Sequence, residues 1–137
     1  LGMIKKIILL LFLPAILCCC NSKSKKAPVT DVDVARTFVR NVLDNNFKEA
    51  EQYLLKDETN MQIFERFKQQ YNEKNKALLE KYKGADIIVN EISHPADTVC
   101  MFNYSNSYSK TDTTIIKAVR IDGKWLVDLK YSFSGNL

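Results

Sequence analysis

The pattern of hydrophobic and polar residues changes three times along the 137-residue chain. Residues 7–17 form an uncharged apolar run, and residues 21–30 are polar and include Pro28. From residue 31 to about residue 83 apolar residues recur every three or four positions, which predicts helices; from residue 86 they recur every second position, which predicts strands. We therefore divide the chain into a leader (1–20), a flexible polar linker (21–30) and one domain (31–137).

The helical half of the domain predicts three helices. Asp31 or Asp33 is a suitable N-cap for the first. The third contains a polar stretch at residues 72–76, where we expect the helix to be exposed or bent. The three predicted helices are residues 33–43, 47–55 and about 56–83, the last ended by Gly84.

The strand half predicts two hairpins and therefore four antiparallel strands. Residues 93–96 (SHPA) are turn formers, and Asp122-Gly123 favours a type I′ turn because glycine and aspartate tolerate positive φ. Alternation in the last strand places Asp128 on the face opposite Trp125, where we expect it to be exposed to solvent. The predicted strands are residues 86–93, 97–108, 113–121 and 124–133. Helices followed by such a sheet predict an α+β domain.

The order of these elements, closed by VRIDGKWLVDL, resembles the nuclear-transport-factor-2-like (NTF2-like) superfamily and, more narrowly, the small secreted lipoproteins grouped as DUF4878, some of whose relatives carry a lumazine-binding label. The resemblance covers about residues 31–133. It implies an α+β cone in which three N-terminal helices pack on a curved four-stranded antiparallel sheet, often with a pocket at the wide end. The aromatic residues expected to line this pocket are Phe38, Tyr53, Phe64, Tyr104 and Trp125.

The leader has the features of a secretion signal. Its eleven apolar residues would span roughly 16 Å as a helix, about half of a ~30 Å hydrocarbon core. Lys5 and Lys6 precede them, as in the basic region of a signal peptide. The apolar run ends at three adjacent cysteines, and this arrangement resembles the lipobox of bacterial lipoproteins.

The resemblance implies that one of these cysteines is lipidated and becomes the first residue of the mature chain. Cys20 fits best, because Leu17 then stands three residues before it; Cys19 and Cys18 are poorer alternatives. Each buried acyl methylene contributes about 0.8 kcal/mol, so several chains give stable attachment. We expect a protein anchored to a membrane of the bacterial cell envelope, with the outer membrane as the first candidate. A plain secretion signal and an uncleaved anchor remain the alternatives.

The net charge of the whole chain, +4, would suggest a nucleic-acid partner, but it does not reflect the charge of the domain. Five of the 20 basic residues precede residue 31, so the domain carries 15 basic and all 16 acidic side chains. It lacks the concentrated basic patch that phosphate backbones require. We therefore expect no nucleic-acid partner; the expected partners are the membrane, through the lipid, and a small molecule or an envelope protein.

Catalytic chemistry is not indicated by the sequence. The sole histidine, His94, lies in a predicted turn, and Cys100 is flanked by apolar residues, which favours a buried and unreactive thiol. Three adjacent cysteines cannot close a zinc tetrahedron alone, so we expect no metal and no cofactor. The sequence thus predicts a non-catalytic envelope lipoprotein that binds a ligand or partner in its cone. The alternative is a pocket enzyme of the isomerase, dehydratase or hydrolase type on the same fold.

Overall fold

A computed structural model describes residues 29–132 and confirms an α+β fold, with four α-helices and an open four-stranded antiparallel sheet. A short 3₁₀ turn, Glu51–Tyr53, follows the second helix. The helices are α1 (Asp31–Leu43), α2 (Phe47–Ala50), α3 (Glu58–Asn72) and α4 (Lys76–Lys83); the strands are β1 (Ile87–Ala96), β2 (Val99–Asn106), β3 (Thr114–Ile121) and β4 (Lys124–Asp128).

Helix α1 ends at Leu43 as predicted, but it begins two residues earlier, at Asp31, and has a different cap. The side chain of Thr30, not that of Asp31 or Asp33, accepts a hydrogen bond from the Asp33 amide and closes the first turn. Asp31 is thereby left free to point its carboxylate at another element. The buried face of α1, which packs on the sheet, consists of Val34, Ala35, Phe38, Val39, Val42 and Leu43.

The prediction of one long helix at residues 56–83 was wrong, because the structure has two. Helix α3 ends at Asn72, and the side chain of Asn75 accepts a hydrogen bond from the Leu78 amide to begin α4. An asparagine side chain can hydrogen-bond to a nearby backbone amide, which favours the end of one helix and the start of the next over a continuous helix. The polar stretch that suggested a bend is thus a complete break, and the part of the domain that the structure describes has four α-helices rather than three.

The sheet has the strand order β1-β2-β3-β4. Asp122 (φ 49°) and Gly123 (φ 79°) both have positive φ, which confirms the predicted turn between β3 and β4. The predicted turn at residues 93–96 was wrong. These residues belong to β1, whose pairing with β2 is irregular between Ser93 and Ala96, and the chain reverses after Ala96.

The last strand is shorter than predicted and ends at Asp128; Phe133, in its predicted second half, lies outside the described residues. Asp128 is only 8% exposed, so the prediction of a solvent-facing charge was also wrong. Its carboxylate accepts a hydrogen bond from the Lys130 amide and lies 3.6 Å from the Lys130 ammonium. A buried carboxylate is tolerated here because it is paired.

The core lies between α1 and the sheet, and α2 and α3 contribute side chains to it. Its largest fully buried side chains include Phe38, Phe64, Phe102, Leu54 and Leu129. Within residues 29–132, no helix combines the length and the apolar character that crossing a membrane requires.

Candidate functional site

A small pocket, partly open to solvent, lies in the core between α1, α3 and the inner face of β2 and β3. Its volume is ≈ 180 Å³. Its walls are apolar except for two hydroxyl groups. The lining residues are Phe38, Val39 and Val42 of α1, Phe67 of α3, Tyr104 of β2, Thr114 and Ile116 of β3, and Leu129 after β4.

The two hydroxyl groups belong to a cross-strand pair. Tyr104 of β2 lies directly opposite Thr114 of β3, so their side chains project from the same face of the sheet. Tyr104 keeps intermediate exposure as a whole residue, but burial around its hydroxyl raises its pKa to about 12. The phenol is therefore neutral at physiological pH and offers a hydrogen bond rather than a charge.

The volume limits what the pocket can hold. Sites for drug-sized ligands enclose about 300–1,000 Å³, whereas an apolar cavity of about 150 Å³ is large enough for benzene or xenon. At ≈ 180 Å³ the pocket fits one aromatic ring or an aliphatic group of similar size. A hydroxyl group on such a molecule would be able to hydrogen-bond to the hydroxyl of Tyr104 or Thr114.

Two of the five predicted pocket residues, Phe38 and Tyr104, line this space. Phe64 lies behind the wall, 1% exposed, with its ring centroid 6.2 Å from that of Phe38. Tyr53 and Trp125 are partly buried and pack against the core. Thr114 and Phe67 were not predicted as pocket residues, although strand register opposite Tyr104 would have suggested Thr114.

A larger depression of ≈ 650 Å³ lies along the outer side of α3. Its walls are mostly exposed polar side chains, so a small molecule placed there would stay in contact with water. Ligand sites instead bury most of the ligand surface. The residues along this depression are Met61, Gln62, Glu65, Arg66 and Gln69.

A second group of chemically capable side chains lies where the chain enters the domain. The metal-ligating atoms of Asp31, His94 and Cys100 all lie within 4.8 Å of one another. Asp31 Oδ2 is 2.5 Å from His94 Nε2. Burial alone would raise the pKa of Asp31, but hydrogen bonds from His94 and the Val32 amide outweigh this effect and lower it.

The arrangement of Asp31, His94 and Cys100 is unsuited to catalysis by the Cys100 thiol. A cysteine nucleophile needs an adjacent base that removes its proton. Cys100 is 0% exposed, and burial, together with the neighbouring Asp31 carboxylate, raises its pKa to about 12. The thiol therefore stays protonated, and the His94 ring, which could have acted as its base, is hydrogen-bonded to Asp31 instead. Carboxylate, imidazole and thiol are, however, three common ligands of Zn²⁺.

Sequence reasoning missed this cluster because its members lie far apart in the chain. Asp31 and His94 are separated by 63 residues, and His94 was placed in a turn. The available signal was strand register: Ser93 pairs with Met101, which puts the next residue, His94, beside Cys100. No residue near Asp31 in the sequence indicated that the first turn of α1 would lie beside His94 and Cys100.

Comparison of the chain with protein-family models, with curated proteins and with solved structures gives no match in any of the three. The resemblance to the NTF2-like superfamily and to DUF4878 therefore stays a prediction.

Proposed function

We propose that this chain is a non-catalytic lipoprotein of the bacterial cell envelope whose NTF2-like cone binds a small, mainly apolar molecule. The observation that carries the proposal is the mainly apolar pocket of ≈ 180 Å³ between α1 and the sheet. A cavity of this size lowers stability when it is left unfilled, because its walls lose contacts. A bound ligand would restore them.

The chemistry of the walls supports binding rather than catalysis. The eight lining residues include no carboxylate and no histidine, and the one phenol, Tyr104, lies opposite Thr114. General acid–base catalysis needs a group whose pKa lies near the working pH. Tyr104, with a pKa raised to about 12 by burial, is far from that condition. The pocket therefore favours recognition of shape and of one hydroxyl over the enzyme alternative.

Binding should be measurable with two probes of matched shape, toluene and p-cresol. We expect methyl resonances of Val39, Val42 and Ile116 to shift with both, and p-cresol to bind about two- to tenfold more tightly, since its hydroxyl gains one hydrogen bond. A Thr114→Val variant should reduce that preference. Titrations followed by ¹H–¹³C NMR of the full chain in detergent give the affinities.

Two substitutions on the same strand provide the control. Ile116 lines the pocket and Ile115, its neighbour, points to the other face of the sheet. Ile116→Phe should fill the space and abolish probe binding, whereas Ile115→Phe should leave it unchanged. Equal affinities in the two variants, or no methyl shifts in the unaltered chain, would refute ligand binding and leave a protein-partner role.

The anchor is tested separately. Cys20, Cys19 and Cys18 lie outside the described residues, so this part of the proposal depends on the sequence pattern alone. Cys20→Ala should abolish incorporation of labelled fatty acid in a bacterial host and move the protein into the aqueous phase of a detergent partition. Cys100→Ala, which removes the one thiol of the domain, should retain the label. Full labelling of the Cys20→Ala variant would assign the lipid to Cys19 or Cys18.

A further inference from the structure

We propose that Asp31, His94 and Cys100 form a binding site for a thiophilic divalent cation, Zn²⁺ first of all, that joins the start of α1 to the β1–β2 hairpin. The inference is independent of the pocket, since none of the three residues lines it.

The fold brings together an oxygen, a nitrogen and a sulfur ligand atom from one helix and two strands. Asp31 contributes a carboxylate oxygen from the first turn of α1, His94 a ring nitrogen from β1, and Cys100 a sulfur from β2. In a tetrahedral zinc site, bonds of about 2.0–2.3 Å place the ligand atoms about 3.3–3.6 Å apart. The present separations are at most 4.8 Å, so a pair at that limit would have to approach by up to about 1.5 Å.

The freedom for such a shift lies on the histidine side. The His94 side chain is 49% exposed, whereas those of Asp31 and Cys100 are 17% and 0% exposed. At present His94 Nε2 is 2.5 Å from Asp31 Oδ2, closer than two ligands of one cation would be. A cation would take the place of the proton that these two atoms share, and His94 would move outward to make room.

The charge of the site also suits a divalent cation. With Cys100 deprotonated, the thiolate and the Asp31 carboxylate carry two negative charges beside a neutral imidazole. Zn²⁺ neutralises both, and it deprotonates a coordinating thiol even where burial and a nearby carboxylate oppose ionisation. Such burial is observed here, since Cys100 is 0% exposed.

The types of ligand decide which cation is expected. Sulfur and imidazole favour Zn²⁺ and related transition metals, while Mg²⁺ and Ca²⁺ require oxygen ligands. Three protein ligands leave one position of the tetrahedron for water or for an atom of a partner. The cation would connect residues that are 63 and 69 positions from Asp31. Binding of the cation should therefore raise the free energy of unfolding by RT ln(1 + [L]/Kd), where [L] is the concentration of free cation.

Cobalt(II), which replaces zinc and is coloured, tests the proposal directly. The protein is the full chain in detergent with Cys18, Cys19 and Cys20 replaced by serine, so that Cys100 is the sole thiol. We expect one equivalent of Co²⁺ to produce a thiolate-to-cobalt charge-transfer band and the strong visible bands of a tetrahedral ion. Zn²⁺ should bleach both.

The variants separate metal binding from folding. Cys100→Ser should remove the charge-transfer band. His94→Gln should weaken Co²⁺ binding at least about tenfold, because losing even a group that only orients a ligand lowers metal affinity about 10–100-fold. His94 is exposed, so this substitution should not affect folding. Asp31→Asn should weaken Co²⁺ binding to the same degree, while Asp33→Asn, a matched loss of charge in the same turn, should have no effect. A band that survives Cys100→Ser, equal affinities in the Asp31 and Asp33 variants, or no band at all would overturn the proposal.

Discussion

Replacing Phe64 with alanine should lower the free energy of unfolding by about 3–5 kcal/mol, the cost typical of truncating a fully buried phenylalanine. Phe64 is 1% exposed. Its ring centroid lies 6.2 Å from that of Phe38 and 5.7 Å from that of Phe47, so one side chain of α3 holds both α1 and α2. Removing it leaves a void directly behind the pocket wall.

Urea denaturation followed by tryptophan fluorescence measures this effect, since Trp125 packs against the same core. Gln62→Ala is the matched control, because Gln62 lies on the exposed side of the same helix and should change stability by less than about 0.5 kcal/mol. The void should also weaken binding of p-cresol, because Phe38 loses its support. If Phe64→Ala cost no more than Gln62→Ala, the packing described for α3 would be incorrect.

Replacing Asn60 with alanine should lower the free energy of unfolding by about 1–3 kcal/mol, the cost of leaving a buried backbone donor unsatisfied. Asn60 is 0% exposed, although it is polar. Its Oδ1 accepts a hydrogen bond of 2.8 Å from the amide of Leu129, and its Nδ2 donates to Asp57. The pair connects the first turn of α3 to the segment after β4, and Leu129 forms part of the pocket wall.

Thr59→Ala, at the exposed neighbouring position, is the control for Asn60→Ala. Hydrogen exchange gives the more specific readout: the Leu129 amide should lose protection in the Asn60 variant and keep it in the Thr59 variant. Unchanged protection of that amide would mean that the hydrogen bond from Leu129 to Asn60 does not contribute to the native state.

Local signals explain which elements could be predicted. The apolar periodicity of α1 and the Asp122-Gly123 turn depend on neighbouring residues alone, and both were predicted correctly. The extension of β1 through His94 and Pro95 depends on pairing with β2, which overrides the turn preference of those residues. The break before α4 was only half predicted, because polar residues indicate exposure without showing that Asn75 caps a new helix.

The candidate site depended even more on long-range packing. Periodicity identifies Phe38 and Phe64 equally well as inward-facing, but it cannot tell which one borders a space and which one fills it. Asn60 was not singled out, because nothing in its surroundings shows that its amide meets Leu129, 69 residues later. The meeting of Asp31, His94 and Cys100 likewise depends on how α1 crosses the sheet.

A crystal of the protein under xenon pressure would show directly whether the pocket can hold a ligand, because xenon enters apolar cavities of about this size without needing a specific ligand. We expect a xenon peak between Phe38, Tyr104 and Ile116, and none in crystals of the Ile116→Phe variant. A pocket filled by its own side chains, with no xenon beside those residues, would contradict this expectation.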